Sequence, residues 1–321
     1  MSEIVLGGGG RILVTGATGF VGRALLQRLA TEQRPCSALS RSATAVPGAD
    51  HTCTVPDQAD DDALRAACHQ VDAVVHLAAR VHVMRETTLD PLAEFRRVNV
   101  SGTLALARAA AAAGVRRFLF LSSVKVNGEG TAPGQPYRET DQPTTTDPYG
   151  LSKLEAEQGL LELAASAEME IVVLRLPLVY GPGVRANFRS LMAAVRRGIP
   201  LPLGAIDNRR SMVGLDNLTD VIFRCLDHPR AAGETFLVSD GDDLSTPDLV
   251  RRLARAMNRR PRLITVPVPI LAAGATLLGR REVVRRLTDS LQVDITKART
   301  LLDWSPPCTV DEQLQRTVVG G

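Results

Sequence analysis

A phenol and an ammonium stand four residues apart in Tyr149-Gly150-Leu151-Ser152-Lys153. On a helix that spacing projects both groups from one face. A cation close to a tyrosine favours the phenolate and lowers its pKa, so the pair reads as a general acid or base for work near neutral pH. The spacing is also common on plain helix surfaces, and its weight comes from what precedes it. Upstream, Leu121-Ser122-Ser123-Val124-Lys125-Val126-Asn127-Gly128 ends an apolar run in hydroxyls. Near the N-terminus, Thr15-Gly16-Ala17-Thr18-Gly19-Phe20-Val21-Gly22 follows a short β-branched run and opens a helical stretch. Glycines let the backbone turn tightly and approach a pyrophosphate, and a helix start offers free N–H groups with partial positive charge. Gly16, Gly19, Phe20, Val21 and Gly22 therefore read as a dinucleotide cradle at a strand-to-helix junction.

The end of the next strand selects the dinucleotide. A carboxylate there holds the ribose hydroxyls of NAD, whereas an arginine suits a 2′-phosphate. This chain has Leu39-Ser40-Arg41-Ser42 and no acid. Ser40 and Arg41 thus favour NADP(H) over NAD(H); the alternative is a solvated Arg41 with NAD bound all the same.

These groups need a scaffold that brings them to one edge. From Arg11 onward, short apolar β-branched runs alternate with longer helical stretches, the pattern of βαβ units and a parallel sheet. The strands expected are Ile12-Thr15, Ser37-Ser40, Ala73-Leu77, Arg117-Leu121 and Glu170-Leu174. Helices are expected over Val21-Ala30, Asp62-Cys68, Leu104-Ala113 and Gly150-Ala165, the third ending at a left-handed Gly114. Asp60-Asp61-Asp62 reads as a helix cap. Beyond Leu176 the prolines and glycines Pro177, Gly181-Pro182-Gly183, Pro200 and Pro202 break the rhythm, and a second lobe begins. Val213-Leu226 followed by Thr235-Ser239 again reads as helix then strand. The fold class is α/β: a doubly wound parallel sheet over 1–176, rejoined at about 213–239, with a smaller discontinuous substrate-binding lobe from 177–212 and 240–321.

Composition excludes other classes. The 321 residues are 45% hydrophobic and 3% aromatic, and 38 Lys+Arg against 35 Asp+Glu leave a formal charge of +3. That describes a globular chain with a substantial core, not a disordered or collagenous one. No basic stripe interleaved with aromatics is visible, so nucleic acid is not an expected partner. Cys36, Cys53, Cys68, Cys225 and Cys308 are odd in number and scattered, which argues for a reducing compartment and against structural zinc. His51, His69, His82 and His228 lack convergent ligands, no metal is expected, and His76 reads as a packed histidine at a strand end. Glu155 and Glu157 read as solvated. Ile4-Val5-Leu6 after an acidic Glu3 is no signal peptide, so the expected location is the cytoplasm. Leu263 to Leu278, broken by Pro267 and Pro269, falls short of the ~20 residues of a spanning helix and reads as an extended entry to a buried or partner-facing helix.

The ordered set of motifs resembles the extended short-chain dehydrogenase/reductase family, and within it the nucleotide-sugar epimerases and reductases. The resemblance covers nearly the whole chain: TGATGFVG at 15–22, VPDQADDDAL at 55–64, HLAA at 76–79, NVSGT at 99–103, SSVKVNG at 122–128, YGLSK at 149–153 and RLPLVYGPG at 175–183. It implies that Ser123 holds the substrate oxygen, that Tyr149 donates or takes its proton, and that Lys153 binds the nicotinamide ribose while tuning Tyr149. By the same resemblance Asp57 and Gln58 face the adenine, Leu77, Ala78 and Ala79 the middle of the cofactor, and Asn99 and Pro177 the cofactor side of the pocket. Val124 and Lys125 then fall on the substrate side, and Asn187 and Arg210 match positions used on the nucleotide diphosphate. A planar guanidinium suits that diphosphate, though Arg209 is an equally charged rival.

Two departures stand out. Epimerases of the family usually have Val-Tyr-Gly where this chain has Val126-Asn127-Gly128, a change whose meaning the sequence leaves open. Sugar 4,6-dehydratases usually show Thr-Asp-Glu where this chain has Ser123-Val124-Lys125, which argues against dehydration. The resemblance therefore implies NAD(P)H-dependent reduction of the C4 ketone of a UDP-linked 4-keto-6-deoxy-N-acetylhexosamine, with a UDP-hexose 4-epimerase as the alternative and a catalytically silent cofactor-binding scaffold as the rival of another class. It also implies a homodimer through two long helices per subunit, here Leu104-Ala113 and Gly150-Ala165.

Overall fold

The computed structural model describes residues 10–58, 60–81, 90–132, 134–277 and 281–320; the segment Ile4-Val5-Leu6, His82 and Leu278 lie outside them. In chain order the elements of the first half are β1 (Ile12–Thr15), α1 (Phe20–Thr31), β2 (Cys36–Ser40), β3 (His51–Thr54), α2 (Asp61–Ala67), β4 (Ala73–His76), α3 (Pro91–Phe95), α4 (Gly102–Ala112), β5 (Arg117–Ser123), α5 (Pro148–Ala164) and β6 (Glu170–Leu176). There follow β7 (Leu178–Tyr180), α6 (Ala186–Arg196), β8 (Met212–Gly214), α7 (Leu215–Asp227), β9 (Thr235–Leu237), α8 (Thr246–Ala256), α9 (Val268–Leu277), α10 (Arg281–Thr288), α11 (Thr296–Leu301) and α12 (Val310–Val319). Among the described residues seven strands make one sheet in the order β3-β2-β1-β4-β5-β6-β9, each pairing parallel, with β7 and β8 as a separate pair. The order reverses between β1 and β4, the switch point where open α/β sheets bind ligands beyond their carboxyl ends.

Each face of the sheet is covered, as continuous apolar strands require. Leu25, Leu26 and Leu29 of α1 and Leu218, Val221 and Ile222 of α7 pack with Val14, Val75 and Leu119 on one side. Leu64 of α2, Leu106, Ala107 and Ala110 of α4 and Leu160 of α5 pack with Leu13, Val74, Phe118 and Phe120 on the other. Each fully buried leucine contributes about 2 kcal/mol relative to exposure. The alanine-rich side of α4 is thus spent on this chain's own core, and Gly159 of α5 lies so close that a Cβ there would stand 2.8 Å from Leu104.

The five strands and four helices expected from the sequence form within a few residues of their expected bounds. Asp60 caps α2 by accepting from the Ala63 N–H at 3.0 Å, and Gly114 ends α4 at φ +77. Sequence reasoning missed β3. Its His51-Thr52-Cys53-Thr54 is a short, half-exposed edge strand, and an edge of that kind needs no apolar run. The helix expected to begin at Leu104 is preceded by α3 and by a π-helical turn over Arg96–Ser101, so helical backbone runs from Pro91 to Ala112. The segment after Leu263 does form a helix, α9, and of the two outcomes expected for it, buried or partner-facing, it is not the buried one: within α9 only Ala275 is buried. Met169 to Leu176 brings the chain to β7, and after β8 the chain returns through α7 to β9, which pairs with β6. Val293, Ile295, Ala298, Leu302 and Trp304 also join the core beneath the sheet, although they belong to the C-terminal stretch.

Candidate active site

The glycine turn is shaped by what surrounds it. Gly16 holds φ +64, and a Cβ there would stand 2.8 Å from the Ala78 nitrogen; one on Gly22 would stand 2.2 Å from the Gly16 carbonyl oxygen. The turn is therefore packed flat against the exit of β4 on one side and the first turn of α1 on the other. Gly19 is the N-cap of α1 and no side chain caps that helix. With Phe20, Val21 and Gly22 opening α1 behind it, the cradle presents bare backbone, which fits a dinucleotide pyrophosphate.

Polar side chains pin this cradle to its neighbours. The Ala78 N–H donates to Thr15 Oγ1 at 3.1 Å, and Thr15 Oγ1 lies 2.7 Å from His76 Nδ1. His76 Nε2 lies 3.0 Å from Thr103 Oγ1, and Thr103 donates its one hydroxyl proton to the Asn99 carbonyl at 2.7 Å. Since that proton is spent, Nε2–H is the donor to Thr103 and Nδ1 accepts from Thr15. His76 is thus a neutral imidazole of defined tautomer. Burial, reinforced by the Lys153 charge, holds its pKa down at about 3. The packed-histidine reading of His76 stands.

Asn99, in the π-helical turn, links the same region to α5. Its Oδ1 accepts from the Arg80 N–H at 2.8 Å and its Nδ2 donates to the Arg80 carbonyl and to Ser152 Oγ, both at 3.0 Å; Ser152 donates in turn to the Tyr149 carbonyl at 2.8 Å. The segment holding Leu77, Ala78 and Ala79 is thereby tied to the first turn of α5.

Tyr149 and Lys153 sit one turn apart at the start of α5, which Asp147 caps through the Gly150 N–H at 2.9 Å. The Tyr149 ring meets Phe95 edge-on, centroids 5.9 Å apart. Lys153 is buried with its Nζ 4.0 Å from the centre of the Phe120 ring. The expectation that the ammonium lowers the phenol's pKa is corrected here: burial, with Asp147 adding to it, pushes Tyr149 up to about 12. Lys153 is desolvated as well, its pKa lowered to about 7 by burial, and its Nζ faces the Phe120 ring. In this state the phenol is an acid that holds its proton. Ser123 ends β5 at the carboxyl edge of the sheet, its Oγ accepting from the Lys125 N–H at 3.2 Å. Val124 is buried, and Lys125 turns its Nζ to Asp147 Oδ2 at 2.9 Å.

The second correction concerns Glu157. Sequence reasoning left it in solvent, yet it is 3% exposed. It lies one turn beyond Lys153, is bonded by Ser122 Oγ, and meets the Arg175 guanidinium at 2.7 Å. Arg175 Nη1 continues to Asn127 Oδ1 at 3.2 Å, and Asn127 Nδ2 donates to the Arg138 carbonyl at 3.0 Å. This explains Asn127: a wholly buried amide completes a polar network under Lys153 and braces the loop toward Asp147. The traceable signal was an arginine inside the apolar run of β6 and a glutamate four residues after the lysine. Glu155, by contrast, is partly exposed and paired with Arg96 at 2.6 Å.

The remaining expected residues are placed around this core. Ser40 closes β2 and its Oγ accepts from the Ser42 N–H at 3.1 Å; Arg41 follows, exposed. Asp57 is exposed, and Gln58 packs against Gly102 at the start of α4. Pro177 joins β6 to β7. Asn187 is exposed in the first turn of α6. Arg210 is partly buried, its Nη1 donating to the Arg286 and Asp289 carbonyls at 3.1 and 2.9 Å, and burial lowers its pKa. Arg209 instead lines an open cleft with Asp207, Asp243, Ser290 and Gln292. Among the described residues no His, Cys, Asp and Glu side chains cluster to hold a metal ion.

Comparison with known proteins agrees with this geometry. Residues 12–239 match the model of the NAD dependent epimerase/dehydratase family. A UDP-glucose 4-epimerase of Vibrio cholerae is 44% identical over 309 residues, covering 95% of this chain and 94% of its own. A GDP-6-deoxy-D-mannose reductase of Pseudomonas aeruginosa is 28% identical, covering 95% of each. The solved structure of MoeE5 in complex with UDP-glucose and NAD superposes with a TM-score of 0.77 at 26% identity, over 97% of this chain and 98% of that one. With the glycine cradle at the switch point and the Ser123, Tyr149 and Lys153 set on β5 and α5, the chain belongs to the NAD dependent epimerase/dehydratase family, in the nucleotide-sugar group of the extended short-chain dehydrogenases/reductases.

Proposed function

We propose that the protein reduces the C4 ketone of a UDP-linked 4-keto-6-deoxy-N-acetylhexosamine, with NADPH as the preferred reductant. The nicotinamide supplies the hydride to the sugar C4. The chain's own residues handle the oxygen. Ser123 Oγ donates a hydrogen bond to the ketone oxygen, and Tyr149 gives its phenolic proton to the alkoxide as it forms, leaving the C4 hydroxyl. Lys153 binds the nicotinamide ribose and, once anionic phosphates are near, holds the charge that stabilises the resulting phenolate. Asn187 and either Arg209 or Arg210 hold the nucleotide diphosphate, in a substrate lobe formed by 177–212 and 240–321. Ser40 and Arg41 favour the 2′-phosphate, because β2 ends without a carboxylate.

The observation that carries this reading is the end of β2, where Ser40 and the exposed Arg41 follow one another with no carboxylate, an end suited to the 2′-phosphate of the dinucleotide that serves as a reductant. A second reading, a UDP-hexose 4-epimerase that keeps NAD bound, is favoured by the Vibrio cholerae relative. Incubation with a panel of UDP-4-keto sugars and both reduced nicotinamides separates the two. Oxidation of NADPH only when a 4-keto sugar is present is the expected result. Tightly bound NAD in the purified protein, with interconversion of UDP-N-acetylglucosamine and its galacto isomer without added cofactor, gives the function to the epimerase. In either reaction Tyr149→Phe lowers kcat by a factor on the order of a thousand or more while NADPH fluorescence titration shows retained cofactor binding.

A further inference from the structure

Helix α9 is apolar on both sides, a pattern that belongs to a buried helix. Its inner side packs as expected: Val268 and Leu271 join Val195, Leu201, Leu203, Leu263 and Leu287 in one cluster, and Ala275 is buried. Its outer stripe, Ile270, Ala273, Gly274 and Leu277, recurs at helical spacing and is exposed throughout. Ile270 is 62% exposed and Leu277 89%; Ile264, at 50%, and Ile199, at 45%, lie on the segments packed beside it. Those segments pair directly, the Leu201 N–H donating to the Arg262 carbonyl and the Ile264 N–H to the Leu201 carbonyl, both at 2.8 Å.

The charge around this helix is one-sided. Residues 184–206 and 249–288 together carry fourteen arginines and one glutamate, a formal +13 in a chain whose total is +3. Several of these arginines are ion-paired, as Arg251 is with Asp248 and Arg252 with Asp242. Arg196, Arg197, Arg259, Arg260, Arg262 and Arg286 are exposed and have no acidic partner among the described residues. They flank the same cluster: Arg196 and Arg197 follow Val195, Arg262 precedes Leu263, and Arg286 precedes Leu287 on α10, which packs against α9.

We propose that this face of the smaller lobe docks the protein onto an anionic phospholipid surface, with the outer stripe of α9 entering the headgroup boundary and the arginines meeting lipid phosphates. An apolar stripe within an arginine rim is the chemistry of interfacial binding, and each basic residue near a negatively charged bilayer contributes to it. An acidic protein partner would match the rim and leave the ten-residue apolar helix unexplained, whereas a bilayer accounts for both. No helix among the described residues is long and apolar enough to cross a membrane, so the contact is peripheral.

Sedimentation of the full chain with vesicles tests this. Vesicles of phosphatidylcholine with about a third phosphatidylglycerol should carry the protein down at 50 mM salt, and pure phosphatidylcholine should not. Raising salt to 500 mM should weaken the partition at least tenfold. Ile270→Asp with Leu277→Asp should cut partition by about tenfold or more, and Arg259→Ser with Arg260→Ser should cut it about fivefold per arginine, with turnover of soluble substrate unchanged in both. Failure of the wild-type chain to sediment with the anionic vesicles overturns the proposal. So does unchanged partition of the Asp double variant. A concentration-dependent dimer seen by analytical ultracentrifugation, abolished by Ile270→Asp with Leu277→Asp in the absence of vesicle binding, also overturns it and assigns the face to a second copy.

Discussion

The burial of His76, with the Lys153 charge adding to it, carries a consequence for acid stability. In the folded protein both ring nitrogens are committed, one accepting from Thr15 and one donating to Thr103, and the ring stays neutral down to about pH 3. Unfolded, the same imidazole protonates near 6.5. Between those values the unfolded chain binds the additional proton, so stability present above pH 6.5 is lost as pH falls toward 3, on the order of a few kcal/mol. His76→Asn should start from a lower stability, because two hydroxyl partners are disturbed, but its urea midpoint should change less between pH 6.5 and 4 than the wild type's. Equal slopes for the two proteins would remove His76 from the account of acid sensitivity. The spacing of Tyr149 and Lys153, together with the hydroxyls that end the run before Val124, marked Tyr149, Lys153 and Ser123 as candidates in the sequence. The Thr15–His76–Thr103 chain was not legible, since it joins residues 61 and 27 positions apart that meet only once β1, β4 and α4 are assembled.

At the scale of elements, periodicity and glycine placement made most of the sheet and its helices readable, and the two glycines Gly22 and Gly114 show why such positions differ. Gly22 is inside α1 with an ordinary helical backbone; what it lacks is room, since an added Cβ would meet the Gly16 oxygen at 2.2 Å. Gly114 has open space around it but holds φ +77. Gly22→Ala must displace the backbone of the turn, and isothermal titration should show NADPH affinity reduced at least tenfold together with a lower Tm. Gly114→Ala should cost only about 1 kcal/mol of conformational strain and leave cofactor affinity unchanged. If Gly22→Ala binds NADPH as the wild type does, the turn is not the cradle. What periodicity concealed was polarity inside apolar elements. Arg175 in β6 and Glu157 in α5 satisfy each other, and breaking such a buried pair from one side typically costs 3–5 kcal/mol, roughly the effect expected of removing either partner. A lone charge in an apolar run reads as a surface residue until its partner, eighteen positions away, is known.

Across the whole molecule the chain is interleaved, and this bears on how it unfolds. The sheet covering needs α7, the outermost strand β9 arrives from beyond residue 230, and Trp304 packs into the same core while its Nε1–H donates to Asp220 at 2.9 Å. Arg117 at the foot of β5, 1% exposed, donates to the Cys225 and His228 carbonyls at 2.6 and 3.0 Å, closing the return of the chain against the strand that carries Ser123. The break in rhythm near Leu176 marks where loops begin, and the return expected at about 213–239 brings α7 and β9 back to the same core. A fragment of residues 1–176 would lack α7, which packs on α1 and β5, and so would open the side of the core that holds Leu119 and the α1 leucines to water; removal of that much apolar cover outweighs the few kcal/mol by which domains are stable. The fragment should therefore lack a cooperative thermal transition. In the full chain the single tryptophan sits where the C-terminal stretch meets the sheet. Its fluorescence and the far-ultraviolet dichroism of the helices should lose their native signals at one urea concentration. Two separated midpoints would mean that the C-terminal stretch peels away before the sheet opens, and that the lobes unfold as distinct units.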